Sequence, residues 1–308
     1  MRFKGALSKG SSMKIVIAGS SGLIGTELVK SLRAEGHEVF RLVRRNATAP
    51  TEISWDPSAG VIDRDALIGT DVMINLAGAG VGDHRWTSSY KETILSSRVD
   101  STRVMAVAAA EIKPQVLISA SAMGYYGDTG SNKVDESSPR GGGFLADVVA
   151  QWEQAADPAR NAGVRVVHPR TGLVVSARGG AWAKLIPLFK LGIGGKLGNG
   201  KQYWSFISMR DEIEAFKFLI SHIELSGPVN LTAPQPATNA EVTKAMGKVF
   251  KRPTLVPAPA FALKIALGEF STEILSSTRV IPQKLIDAGF TFSDPDVLSA
   301  MSTLTIKD

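Results

Sequence analysis

The chain has 308 residues, 44% hydrophobic and 21% charged, a globular composition with room for one or two domains and a sizeable core. Cysteine is absent and the four histidines (His37, His84, His168, His222) lack metal-site spacing, which excludes disulfides, thiol nucleophiles, thiolate clusters and histidine-rich metal centres and suits a cytoplasmic setting. Of the net charge of +6, three units sit in an acid-free leader as Arg2, Lys4 and Lys9, so the rest of the chain gives little reason to expect a nucleic-acid partner.

Residues 1–12 have no apolar core of the kind a secretory signal needs, and they are expected to be disordered, with Met13 an alternative start. No apolar run is long enough to span a bilayer, so no membrane partner is expected. Lys14-Ile-Val-Ile-Ala18 reads as a buried strand, followed by a glycine-rich turn and a helix stopping at Gly36. Strands follow at 38–43 and 72–76, then a loop from Ala77 to Gly82 and a long helix from about Ser88 to Ala110, with Pro114 beyond its end. Val116–Ser119 and Val164–Val167 are further strands, separated by a helix through Ala146 to Ala156. Strands alternating with helices predict an α/β fold, a Rossmann-type doubly wound parallel sheet over 13–175. After residue 175 glycine, proline and aromatic residues break the pattern, which suits a smaller substrate-binding domain over 176–308, with interleaved boundaries.

Chemistry is signalled first by Gly19-Ser20-Ser21-Gly22-Leu23-Ile24-Gly25 between strand and helix. Glycines let backbone amides approach a pyrophosphate, whose charge is favoured at the helix N-terminus. The second strand ends in Val43-Arg44-Arg45, where a carboxylate would instead bind a ribose 2′-hydroxyl and repel a 2′-phosphate. A charge-assisted hydrogen bond contributes roughly 1.5–3 kcal/mol, so one well-placed arginine favours NADP over NAD by about tenfold or more.

Three segments together, Gly19-xx-Gly22-xx-Gly25, Asp71-Val-Met-Ile-Asn75-Leu-Ala-Gly78 and Ser119-Ala-Ser121-Ala-Met-Gly-Tyr125-Tyr126-Gly127, resemble the extended short-chain dehydrogenase/reductase superfamily. Arg85-Trp86-Thr87, Ser97-Arg98-Val99, Trp152-Glu153, His168-Pro169-Arg170-Thr171-Gly172 and Ile281-Pro282 resemble its atypical, epimerase-like branch, from about Met13 to the C-terminus. The resemblance implies NADP(H) as cofactor, with contacts from Arg44, Leu76, Arg98 and the loop Arg170 to Val174. The small residues Leu76-Ala77-Gly78 close a strand where open α/β sheets bind ligands, and Arg98 on the next helix is placed to neutralise a phosphate.

The chain departs from that superfamily in its proton-transfer pair. Tyrosine ordinarily titrates near 10 and needs a neighbouring lysine to work at neutral pH. Its tyrosines Tyr90, Tyr125, Tyr126 and Tyr203 are followed four residues later by Ile94, Thr129, Gly130 and Ile207, so no Tyr-xxx-Lys exists. Tyr125, Tyr126, Ser121 and His84 are the replacement candidates, each with an ordinary packing or solvated role as its alternative. Trp182, Trp204 and Phe206 either line an apolar pocket or pack the core, and His168 reads as a satisfied core histidine. Asp211-Glu212 reads as a helix start. Two functions stay open: an NADP(H)-dependent oxidoreductase on a small carbonyl or alcohol, and a catalytically silent NADP(H)-binding sensor. A small-molecule substrate is expected, and a homodimer is left open.

Overall fold

The structure, a computed structural model, describes residues 12–305; the leader expected to be disordered lies, but for Ser12, outside the described residues. Fifteen strands occur among them: β1 (Lys14–Ala18), β2 (Glu38–Val43), β3 (Glu52–Asp56), β4 (Val61–Ile62), β5 (Val72–Asn75), β6 (Val116–Ser119), β7 (Ser121–Ala122), β8 (Lys133–Val134), β9 (Arg165–Thr171), β10 (Leu173–Val175), β11 (Tyr203–Trp204), β12 (Phe206–Ser208), β13 (Gly227–Leu231), β14 (Ala237–Thr238) and β15 (Arg279–Val280). The main sheet runs β13-β9-β6-β5-β1-β2-β3-β4, with β7 added beside β9. Its pairs are parallel except β3 with β4. Ile15, Val16, Ile17, Met73, Ile74, Leu117 and Ile118 are all fully buried. Both faces of these strands are covered, which is why they read as continuous apolar runs rather than alternating ones.

Helices α1 (Leu23–Ala34), α2 (Ser88–Ile112), α3 (Phe144–Gln154), α4 (Asp157–Asn161), α5 (Gly180–Lys190), α6 (Met209–Ser221), α7 (Asn239–Phe250) and α8 (Ala260–Leu267) account for most of the rest. On one face Leu28 and Leu32 of α1 and Phe216 and Leu219 of α6 pack on Ile15, Ile17, Ile74 and Ile118. On the other, Met105, Ala106 and Ala109 of α2 pack on Val16, Ala18, Met73 and Leu117. The chain leaves β1 toward β2 on one side, and β5 joins on the other, so the strand order reverses at β1. A crevice therefore opens beyond the C-terminal ends of β1 and β5, the place where open α/β sheets bind ligands.

Strands β3, β4 and β13 lie beyond the sequence-based assignment. The first two lie at one end of the sheet, with β4 the edge, and β13 comes from the C-terminal half of the chain yet completes the sheet beside β9. The interleaving of the two halves thus has a concrete form: α6 and β13 return to the N-terminal sheet. The aromatic residues open between pocket and core prove to be core: Trp182, Trp204 and Phe206 pack with Phe189, Met246 and Met301, and the two tryptophan rings meet edge to face at 6.0 Å.

Arg165 fastens β9 to α6. Its guanidinium donates to the carbonyls of Leu219, Ile220, His222 and Leu225 at 3.0–3.3 Å, satisfying the acceptors that a helix C-terminus leaves open. Arg165→Met is expected to cost about 2 kcal/mol of stability by denaturant unfolding. A loss below experimental error would show that water replaces the guanidinium without penalty.

Candidate functional site

The glycine turn is built around one close approach. Gly19 has φ +73, and a Cβ there would lie 2.5 Å from the carbonyl carbon and oxygen of Leu76, so β1 and β5 end in direct backbone contact. A Cβ on Gly25 would overlap the Gly19 carbonyl, so α1 also starts hard against the turn. The Gly22 amide donates to Gly19 O at 3.0 Å, and the cap position carries no side-chain hydrogen bond. The amides of Leu23, Ile24 and Gly25 thus have no preceding turn to bond, and the first turn holds no acid. This donor set suits an anion. Ser20 and Ser21 complete the turn.

On the β5 side the buried Asn75 holds the chain. Its amide nitrogen donates to Thr102 Oγ1 at 2.9 Å and Ser101 Oγ at 3.3 Å, and its oxygen accepts the Ala77 amide at 3.0 Å. Leu76, Ala77 and Gly78 are thereby fixed at the crevice edge. Arg98 of α2 lies against Gly78, where a Cβ would come within 3.2 Å of its guanidinium carbon. It donates to Ile94 O at 2.9 Å and stacks on Trp152 at 5.1 Å, but pairs with no carboxylate among the described residues. Partial burial pulls its pKa down to about 10.

The two arginines after Val43 divide. Arg45 is drawn away to the buried carboxylate of Glu52, at 2.7 and 2.8 Å, and this pairing with the Thr48 amide holds Glu52 at about 2. Arg44 stands exposed, with no hydrogen bond or ion pair from its side chain among the described residues. Across the turn, β10 with Val174 leads into a strap: Arg178 pairs with Glu27 of α1 at 2.8 Å. A Cβ on Gly179 would lie 3.2 Å from the Leu23 side chain.

A second group gathers at the ends of β7 and β9. Ser121 lies opposite Arg170 in register. Arg170, 3% exposed, forms a two-point ion pair with Glu153 of α3, at 2.8 and 2.9 Å. Burial pushes Glu153 up, but Arg170 overrides this and holds the carboxyl below its ordinary range. Ser121 donates to the same carboxylate at 2.6 Å. The Tyr126 hydroxyl donates to Asn230 Oδ1 at 2.8 Å and accepts from Arg170 at 3.1 Å, and burial pushes its pKa up to about 12. Ser121 and Tyr126 are thus hydrogen-bonded inside the protein, and Arg170 anchors them. Tyr125 is half-buried, its ring 3.4 Å from the Arg170 guanidinium. His84 is not part of this group. It is exposed in the loop after β5, edge-on to the Tyr90 ring at 4.9 Å. His168 is buried, faces Ser119 O at 3.3 Å and Arg160 at 3.1 Å, and is lowered to about 4 by burial.

Three residues escaped the sequence reading. Glu153 was visible only as half of Trp152-Glu153. Tyr90, whose hydroxyl donates to Gly80 O at 2.5 Å, lacked any motif. Glu212, read as a helix-start acid, is fully buried: it accepts from Thr171 Oγ1 at 2.9 Å and leaves Oε2 without a partner.

With this geometry in view, the relatives fall into one group. The model of the NAD dependent epimerase/dehydratase family matches residues 15–231, and a domain of unknown function, DUF1731, matches 258–304. The chain belongs to the NAD dependent epimerase/dehydratase family. It is 45% identical over 294 residues to an epimerase family protein of Mycobacterium leprae, covering 95% of this chain and 96% of that one. It is 34% identical to the chloroplastic epimerase family protein SDR39U1 homolog of Arabidopsis thaliana, over 96% and 88% of the two chains. Among solved structures, human epimerase family protein SDR39U1 (isoform 2) with NADPH superposes with a TM-score of 0.85 at 28% identity, over 95% and 99% of the chains.

Burial raises Glu212 to about 8, against an ordinary 4.5. Between those values the folded chain keeps a proton that the unfolded chain gives up, so this group's stabilisation is complete at low pH and is lost as pH rises toward 8. Glu212→Gln, which mimics the neutral acid, is therefore expected to gain on the parent steadily from pH 5 to pH 8 in urea unfolding. A constant difference across that range would contradict a buried neutral carboxyl.

Proposed function

We propose that the chain binds NADP(H) and works as an oxidoreductase on a small carbonyl or alcohol. The observation that carries this reading is Arg44, an exposed and unpartnered cation at the end of β2, beside a glycine turn built for a pyrophosphate. A 2′-phosphate there meets a free guanidinium, while Arg45 shapes the loop through Glu52. The uncapped amides of Leu23 to Gly25 take the pyrophosphate, and the strap around Arg178 closes over the start of α1. Arg98 supplies a second positive charge at the Gly78 edge. The solved SDR39U1 with NADPH supports the choice of cofactor.

Bound in this way, the nicotinamide would supply or accept hydride, and the protein would orient the reactants and handle a proton. The superfamily's Tyr-xxx-Lys pair is missing from the sequence, which makes sugar-nucleotide epimerisation the least suited chemistry. Tyr125, half-exposed on the Arg170 cation, and His84, exposed beside Tyr90, are the groups left to hold or give a proton. The silent-sensor reading keeps a specific support, since Ser121 and Tyr126 are both tied into internal hydrogen bonds.

Arg44→Ala is expected to weaken NADPH binding by about tenfold or more while changing NADH binding little. Equal losses for both would remove the 2′-phosphate assignment. Stopped-flow mixing of the NADPH complex with aldehydes, ketones and quinones separates the two functions: nicotinamide oxidation by a member of the panel supports the enzyme, and inertness toward all of them favours the sensor.

A further inference from the structure

Two stretches of the chain contain no acid. Residues 177–210 hold six Lys or Arg and residues 242–268 hold five, although the chain as a whole has a net charge of only +6. At the chain's overall frequency the two stretches together would contain about six Asp or Glu. The fold lays them side by side. Arg252 Nε donates to Lys190 O at 3.0 Å, Ala258 N to Lys196 O at 2.8 Å, and Gly198 N to Ala258 O at 2.8 Å. Gly195 sits so close to the Val256 carbonyl that a Cβ would overlap it.

The surface they form is as apolar as it is basic. Seven of the thirteen large apolar side chains that stand exposed among the described residues lie in these two stretches, including Leu191 at 73%, Leu255 at 83%, Phe261 at 67% and Ile265 at 72% exposure. Helix α8 has seven apolar residues out of eight and buries none of them. Concentration of this kind marks an interaction surface. Leu191 follows Lys190, and Leu255 follows Lys251 and Arg252 by three or four residues, so apolar tips are flanked by exposed cations. Lys190, Lys251 and Arg252 make no ion pair among the described residues, whereas Arg178 and Arg210 of the first stretch pair with Glu27 and Asp294. The surface adjoins the crevice loop: Lys184 Nζ donates to Gly82 O at 2.7 Å and Arg85 to Ile265 O at 2.7 Å.

We propose that this face docks on the surface of an anionic lipid bilayer, with the apolar tips at the acyl boundary and the lysines at the phosphate level. Apolar side chains ringed by Lys and Arg match both layers of such a surface. A second copy of the chain fits less well, because a two-fold interface would bring these two acid-free, basic stretches against themselves. No helix among the described residues is long and apolar enough to cross a membrane, and surface attachment needs none. The inference stands independently of the dinucleotide reading.

The test is co-sedimentation of the full chain with phosphatidylcholine vesicles, with and without phosphatidylglycerol, at low and high salt. Binding is expected only with the anionic lipid and is expected to fall with salt. Removing one cation near the surface costs about fivefold in binding, so Lys190→Ser/Lys251→Ser is expected to lose about 25-fold. Leu191→Ser/Leu255→Ser is also expected to weaken it, and unchanged melting curves confirm that both variants fold. Absence of vesicle binding would overturn the proposal, as would binding that neither variant weakens. A concentration-dependent dimer in solution that Leu191→Ser/Leu255→Ser dissolves would assign the face to a second copy instead.

Discussion

The contact of Gly19 with the Leu76 carbonyl sets the geometry on which the crevice depends. A side chain at Gly19 has no room, and its positive φ is strained for any other residue. The consequence is that β1 and β5 end at the same level and α1 starts directly above them. Asn75, Ser101 and Thr102 hold the β5 end from below, and Trp152 Nε1 donates to the same Thr102 hydroxyl at 2.9 Å. One backbone approach and the Asn75 hydrogen bonds thus join the strand ends, the amide cluster and the middle of the long helix carrying Arg98.

A different constraint governs the β7 and β9 ends. The buried Arg170–Glu153 pair takes in Ser121 and Tyr126, and through Asn230 it reaches β13 and the Glu136 carboxyl. Removing one partner of such a pair costs roughly 3–5 kcal/mol because the other charge is left buried and alone. The network thus ties β13 to the ends of β7 and β9. It leaves Tyr125, stacked on the same guanidinium, facing outward from a rigid base.

The central strands and the glycine turn were legible because each is fixed by a short, local pattern. Continuous burial makes Ile15 to Ala18, Val72 to Ile74 and Val116 to Ile118 apolar throughout, and the turn needs glycine where the backbone comes close. Strands β3 and β4, at one end of the sheet, carry no such pattern, and β13 pairs with β9 across 55 residues of intervening chain. The division of labour between Arg44 and Arg45 was hidden for a similar reason, since it is decided by Glu52 seven residues on. Tyr126 and Ser121 looked like site residues because they close a strand at the crevice end; what they bond to is set by Glu153 and Asn230, far away in sequence.

Taken together, the glycine approach, the uncapped start of α1, the free Arg44 and the half-buried Arg98, which has no carboxylate partner among the described residues, describe a site short of negative charge and shaped for a phosphorylated dinucleotide. That claim is tested most directly by fluorescence titration of the unmodified chain with NADPH and NADH under identical salt. The account predicts saturable NADPH binding at least about tenfold tighter than NADH. Equal affinity for the two, or binding of neither, would contradict it.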